Sequence, residues 1–186
     1  MAIANVIGFD DAPFLKSHRG DVQLFGAVCA RTRLDGVLSA RVRRDGRNST
    51  STMIAMIAGS QFRNHIQAVL LQGIAVAGFN VVNIWALHRE LGLPVLVFSR
   101  RAPDFDAIRR ALMTRVPGGE RKWRLIQRAG LPEKMGVLHV QRAGIDRTDA
   151  RTLLDTTVLH GHLPEALRLA HLIAGGVTTG VSRGRA

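Results

Sequence analysis

Two short apolar runs in this chain end on side chains able to bind a cation. Ile3 to Phe9 runs into Asp10 and Asp11, and Ile66 to Leu71 runs into Gln72 and Gly73. A run of branched apolar residues that stops at a polar side chain reads as a buried strand delivering a functional group at its end. In open α/β sheets, sites are built in the crevice beyond the carboxyl ends of the strands. Adjacent strands stand about 4.8 Å apart, so Asp10 and Gln72, side by side, could address one bound ion. An amide oxygen is a poorer ligand for a hard cation than a carboxylate, because it brings no charge. A plainer reading of Asp10 and Asp11 stands beside this one: they precede Ala12-Pro13, and aspartate is common in turns.

The second chemical feature is positive charge. Of 186 residues, Lys+Arg number 26 and Asp+Glu 14, a formal charge of +12. Such an excess favours a polyanionic partner, nucleic acid first. Only Lys16, Lys122 and Lys134 are lysines, and an arginine excess of this kind also follows from a GC-rich genome. Arg41, Arg43, Arg44 and Arg47 cluster around one predicted strand end and are the first choice for phosphate contacts, although a solvated face would look the same. Arg183 and Arg185 add charge in a basic tail. Trp123 lies among Arg121, Lys122 and Arg124, where it reads as a core anchor or as a platform for a base. His160-Gly161-His162 lacks a Cys or acidic partner at ligand spacing, so a zinc site is poorly supported.

Composition excludes other classes. Cys29 is the only cysteine, so there is no internal disulfide, and in its apolar setting it reads as a buried small hydrophobe. No apolar run approaches the ~20 residues of a membrane helix, and the first residues lack the pattern of a signal peptide. A soluble cytoplasmic protein without a membrane partner is expected.

The elements that must position these groups follow in order. Ile3 to Phe9 is a strand. Asp21 to Ala30 and Leu34 to Arg43 are β-rich neighbours, with a kink at Leu34-Asp35-Gly36. Asn48, Ser49 and Thr50 can cap a helix in which Met53, Ile54 and Ile57 recur before Gly59. Ile66 to Leu71 is the second site strand, and a helix from about Asn80 to Leu91 is closed by Gly92 and Pro94. Pro94 to Phe98 reads as a strand, and helices are predicted around Ile108 and from Glu120 to Ala129. Gly136 to Gln141 is another strand, Asp146 caps a helix through Val158, and Pro164 opens the last helix. This order, β-β-β-α-β-α-β, predicts a ribonuclease H-like α/β fold, a mixed sheet flanked by helices. Residues 1–178 form one domain and 179–186 a basic tail.

Three stretches carry a family resemblance: Gly8-Phe9-Asp10-Asp11-Ala12-Pro13-Phe14; Leu71-Gln72-Gly73 with Ala77-Gly78-Phe79-Asn80-Val81-Val82; and Ser182-Arg183-Gly184-Arg185-Ala186. Together they resemble the endonuclease dU family, also called domain of unknown function 99, a relative of endonuclease V; the resemblance runs from Ile7 to Ala186. Leu163 to His171 separately resembles the closing helix of endonuclease V. The resemblance implies an endonuclease V-like fold and a magnesium-dependent cut in deaminated, deoxyuridine-containing DNA, in repair; the strand could be single or damaged. By position, Asp10 matches the first-strand aspartate, Asp45 the second acid, and His171 a histidine near the metal. The implied metal set is Asp10, Asp45 and Gln72, and the implied catalytic set is Asp10, Asp45 and His171. Each also has a plain reading: Asp45-Gly46 is an ordinary turn pair, and a histidine on an apolar helix is usually a core residue.

Three departures accompany the match. Gln72 stands where both families have aspartate, Asn83 where an aspartate is expected, and the chain has no tyrosine to serve as the endonuclease V wedge. Phosphodiester hydrolysis with Mg²⁺ uses carboxylates to hold the ion. Weakened affinity for Mg²⁺, with Mn²⁺ as a substitute that tolerates neutral ligands better, is therefore expected. The rival to a working nuclease is a nucleic-acid-binding relative whose cleavage is weakened or lost through Gln72.

Overall fold

A computed structural model of the chain describes residues 3–182. Its strands are β1 (Asn5–Asp11), β2 (Asp21–Ala30), β3 (Arg33–Arg43), β4 (Ala68–Gln72), β5 (Ala75–Val76), β6 (Asn80–Val81), β7 (Val95–Ser99), β8 (Glu133–Met135) and β9 (Leu138–Ala143). Its helices are α1 (Ser49–Ala58), α2 (Ile84–Leu91), α3 (Phe105–Arg115), α4 (Gly119–Ala129), α5 (Arg147–Thr157) and α6 (Glu165–Thr179).

Seven strands form one sheet in the order β3-β2-β1-β4-β7-β9-β8. The first three make an antiparallel meander, and β1, β4 and β7 run parallel, so the sheet is mixed as expected. The parallel strands connect through α1 and α2, because two parallel neighbours cannot be joined by a hairpin. The kink read at Leu34-Asp35-Gly36 is a bulge: Val28 pairs with Gly36 and Cys29 with Leu34, leaving Asp35 as the extra residue. The turn itself lies at Arg31 and Thr32, where Arg31 takes a positive φ of 55°.

Alternation along the strands builds two buried layers. Ile7, Phe9, Val69, Leu71, Val95 and Val97 face one way and pack with Met53 and Ile57 of α1 and Ile84, Leu87 and Leu91 of α2. Val6, Leu70, Leu96 and Phe98 face the other way, against Leu153 of α5 and Ala166 and Leu167 of α6. Cys29 is fully buried in this second layer. A smaller cluster of Val81, Leu112 and Ile126 anchors α3 and α4 onto β6.

Gly8 sets how closely α6 approaches the sheet. A Cβ there would stand 2.6 Å from the backbone carbon of Ala166 and 2.7 Å from Leu167 N. Only glycine admits that approach, so α6 lies directly against β1.

Three sequence expectations are corrected. The segment from Asn80 is not helical until Ile84: Asn80 and Val81 pair with Val76 and Ala75 as a small hairpin. Asn83 is the cap of α2, its side chain accepting from Ala86 N at 3.1 Å. The strand read over Gly136 to Gln141 begins at Leu138, after a turn that returns from the unforeseen β8. No helix among the described residues is long and apolar enough to cross a membrane.

Candidate functional site

The carboxyl ends of β1 and β4 are adjacent. Phe9 pairs with Leu71, so the next residues, Asp10 and Gln72, end neighbouring parallel strands. Asp10 follows Gly8 by two and Gln72 follows Leu70 by two, which puts both on the α6 face of the sheet. From α6, His171 brings Nδ1 to 2.8 Å from Asp10 Oδ2. If Nδ1 donates to the carboxylate, Nε2 is left as an acceptor. The His171 side chain is 33% exposed and that of Asp10 17%, so the pair is open to water from the histidine side.

Asp10 Oδ1 accepts from Asp11 N at 3.0 Å. Burial raises the Asp10 pKa, opposed by the hydrogen bond and charge of His171. Asp11 points to the other face. Burial first, then the charge of Asp10, lift its pKa to about 6, and the backbone amide of Ala77 offsets part of the rise. Gln72 Oε1 is buried and has no hydrogen-bond partner among the described residues. An orphaned acceptor beside a carboxylate is a position that a cation, or a water bound to one, would satisfy.

Asp45 has different partners. Its Oδ1 accepts from Phe79 N at 2.8 Å, its Oδ2 lies 3.3 Å from Arg44 Nε, and its own N–H donates to Ala77 O at 2.9 Å. The carboxylate thus latches the β5–β6 hairpin to the end of β3. Asp45 has a positive φ of 51° and Ala77 one of 47°, conformations the latch holds in place. Lys122, which is 5% exposed, reaches from α4 to donate to the Asp45 carbonyl. The fully buried Asn80 completes the knot, donating to Arg43 O at 2.8 Å and accepting from Ser49 N at 3.1 Å. Among the described residues, no three His, Cys, Asp or Glu side chains converge to hold a metal ion, so Asp10, Asp45 and His171 do not form one cluster.

The arginines divide by environment. Arg41, Arg43 and Arg47 are exposed. Arg44 is half-buried: Nη1 donates to Lys16 O at 2.7 Å and also to His18 O, and the guanidinium lies 5.5 Å from the Phe14 ring centre. Its work is to hold the loop between β1 and β2. Arg183 and Arg185 lie outside the described residues. Trp123 is half-buried, edge-on to Phe105, with Arg109 above it, while Trp85 donates to Arg128 O. His160 and His162 are exposed.

Sequence reading did not find Lys122, Asn80 or Ala77. A lysine among basic neighbours in a helix and an asparagine after Phe79 look ordinary until the hairpin brings them beside Asp45.

The comparisons agree with this architecture. A UPF0215 protein of Deinococcus radiodurans is 55% identical over 183 residues, spanning 98% of this chain and 93% of its own. A crystal structure of an Archaeoglobus fulgidus protein superposes with a TM-score of 0.88 at 30% identity, covering 95% of this chain and 99% of that one. Endonuclease V of Ciona intestinalis, solved with a 24mer DNA containing an inosine, superposes with a TM-score of 0.58 at 12% identity, covering 90% and 83%. That last likeness establishes an endonuclease V-like fold. The model of the endonuclease dU family matches residues 2–178, and the chain belongs to that family.

Proposed function

We propose that the chain is a metal-dependent endonuclease that cuts deaminated, deoxyuridine-containing DNA in repair. The observation that carries this reading is the Asp10–His171 pair, 2.8 Å apart at the end of β1, with Gln72 Oε1, which has no partner among the described residues, at the end of the adjacent strand. Family membership supports nuclease chemistry, and the DNA bound to the Ciona endonuclease V supports DNA as the class of substrate.

The oxygen donors fit Mg²⁺, which is commonly held by one or two protein oxygens with waters and substrate phosphate completing its shell. Asp10 and Gln72 would hold it, and the ion would supply charge neutralisation at the scissile phosphate. His171, steadied by Asp10 through Nδ1, accepts a proton from water at Nε2 and orients that water. The exposed Arg41, Arg43 and Arg47 contact phosphates and add no base information.

A duplex carrying one deoxyuridine and its thymidine counterpart, incubated with Mg²⁺, with Mn²⁺ and with chelator, tests the reading. Cleavage of the deoxyuridine duplex alone, lost with chelator and in Asp10→Asn, is expected. Equal cutting in chelator would overturn the metal, and equal cutting of both duplexes would overturn the lesion.

A second reading, a nucleic-acid-binding relative with weakened cleavage, is favoured by two facts. Gln72 is neutral, and no three metal-binding side chains converge among the described residues. It predicts salt-sensitive DNA binding without turnover in either metal.

A further inference from the structure

A cleft larger than the depression at Asp10 lies elsewhere in the described structure. It encloses about 900 Å³ between the β3–α1 loop, the start of α2 and the start of α4. It shares no lining residue with the depression of about 430 Å³ around Asp10, Asp11 and His171. Its volume lies within the range of organic-ligand sites and far exceeds what a bare phosphate occupies.

The lining is chemically divided. Arg43, Arg47, Arg121 and Lys122 supply four cationic groups, against the single carboxylate of Asp45, which Arg44 and Phe79 N–H already engage. Ile54 and Leu125 supply an apolar wall. Lys122 is the telling residue, because it is 5% exposed and its ammonium donates to a carbonyl, not to a carboxylate. An ammonium carries three donors, and a buried one satisfied by a single carbonyl leaves two for a ligand. Helix α4 also begins at this cleft without a side-chain cap, adding N–H donors of the same sign.

We propose that this cleft seats one nucleotide unit of a nucleic-acid strand, its phosphate among Lys122, Arg121, Arg43 and Arg47 and its base against Ile54 and Leu125. The inference rests on the reading that the chain acts on nucleic acid, and it places a second anchoring point away from the Asp10–His171 pair. The two points are joined through one residue: Ala77 accepts from Asp45 N at 2.9 Å and turns its amide toward Asp11. A strand seated in the cleft is therefore held in fixed register to Asp10. An apolar wall within a ring of cations suits a base with its phosphate better than it suits an inorganic anion.

Anisotropy of a labelled, 5′-phosphorylated single-stranded oligonucleotide, competed with thymidine 5′-monophosphate and with inorganic phosphate, tests the proposal on the full chain. Lys122→Met and Arg121→Ala should each weaken binding about tenfold, the loss of a charge-assisted hydrogen bond. Arg110→Ala, which removes an equal charge from the exposed face of α3, should change it less than twofold, a rough bound for remote surface charge. Arg121 is exposed, so its variant keeps the test valid if Lys122→Met fails to fold. An unchanged affinity in Arg121→Ala overturns the site. Competition by inorganic phosphate as strong as by the nucleotide overturns the nucleotide, and a free nucleotide tighter than the oligonucleotide overturns the strand. Cleft-dependent binding without any cleavage would leave this inference standing while the nuclease reading falls. Cleavage indifferent to Arg121→Ala would do the reverse.

Discussion

His171 and Asp10, 161 positions apart in sequence, meet with Nδ1 2.8 Å from Oδ2. The contact exists because Gly8 lets α6 lie against β1, and His171 sits little more than one helical turn beyond the point of closest approach at Ala166 and Leu167. A histidine so held can accept a proton on its free nitrogen. His171→Ala should therefore lower the rate of strand cutting by about 100-fold, the usual scale of a lost general base. Substrate affinity should change little if, as proposed, the arginines and the cleft hold the nucleic acid. Single-turnover cleavage with saturating enzyme measures the rate directly, and a loss under about threefold, negligible on that scale, would assign the pair to structure alone.

Much of this arrangement was legible beforehand. The runs ending at Asp10 and Gln72 announced two strands, and their parallel pairing put the two side chains together because strand-end chemistry survives in a short sequence window. Asp146 caps α5 as its place before an apolar-periodic run predicts, accepting from Asp149 N, whereas Asp104 and Asn83 emerge as caps only in the structure, Asn83 because the helix expected from Asn80 starts at Ile84. What escaped is short or long-range. The strands β5, β6 and β8 hold two or three residues each, too few for a period of two to register. The role of Asp45 depends on Phe79, 34 positions away, so Asp45-Gly46 read only as a turn or as a matched acid. Nothing local to Lys122 indicates that it is buried.

The pH dependence of stability should reveal Asp11. Its pKa rises from an ordinary 3.8 to about 6, chiefly through burial. An acid whose folded pKa is raised binds protons more readily in the folded state. It therefore favours folding at low pH, and that contribution fades as pH climbs from 3.8 to about 6. Asp11→Asn removes the buried charge and keeps an oxygen for the Ala77 amide. In chelator at pH 7.5 the variant should be more stable than the parent by on the order of 2 kcal/mol, the difference shrinking toward pH 4. Urea midpoints at the two pH values decide it. A gap that widens on acidification would show that Asp11 is ionised without penalty.

Gly8→Ala tests the approach of α6 to the sheet. The new methyl would stand 2.6 to 2.7 Å from backbone atoms of Ala166 and Leu167, which cannot swing aside as a side chain could. Overpacking of this kind costs about 1–3 kcal/mol. Helix α6 must shift outward, and it carries His171 away from Asp10. The melting temperature should fall and cutting should fall with it, by more than the small loss of folded protein accounts for. A variant that loses stability and retains full cleavage per folded molecule would detach His171 from the chemistry.

Gln72 separates a working nuclease from a weakened one. Its buried Oε1 has no hydrogen-bond partner among the described residues, and the residue follows Leu71 at the end of the strand beside Asp10. Gln72→Asp and the length-matched Gln72→Glu each place a second negative charge next to a carboxylate whose pKa burial already raises. Without metal, repulsion between the two carboxylates should destabilise the fold and push one of them further toward the protonated form. With a divalent cation the same charges become an asset, because Mg²⁺ takes carboxylate oxygen in preference to amide oxygen. The stability lost in chelator should therefore return as magnesium is added, whereas the parent should respond weakly. Thermal melts across a magnesium series read this without any assay of cleavage, and cutting of the deoxyuridine duplex then reads the consequence. The parent should need more magnesium than the variants, or should work better with Mn²⁺, which accepts neutral ligands more readily. Cleavage by a variant where the parent has none would identify Gln72 as the residue that weakens the nuclease. Melting curves that ignore magnesium in all three proteins, alongside efficient cutting by the parent, would remove residue 72 from the metal site.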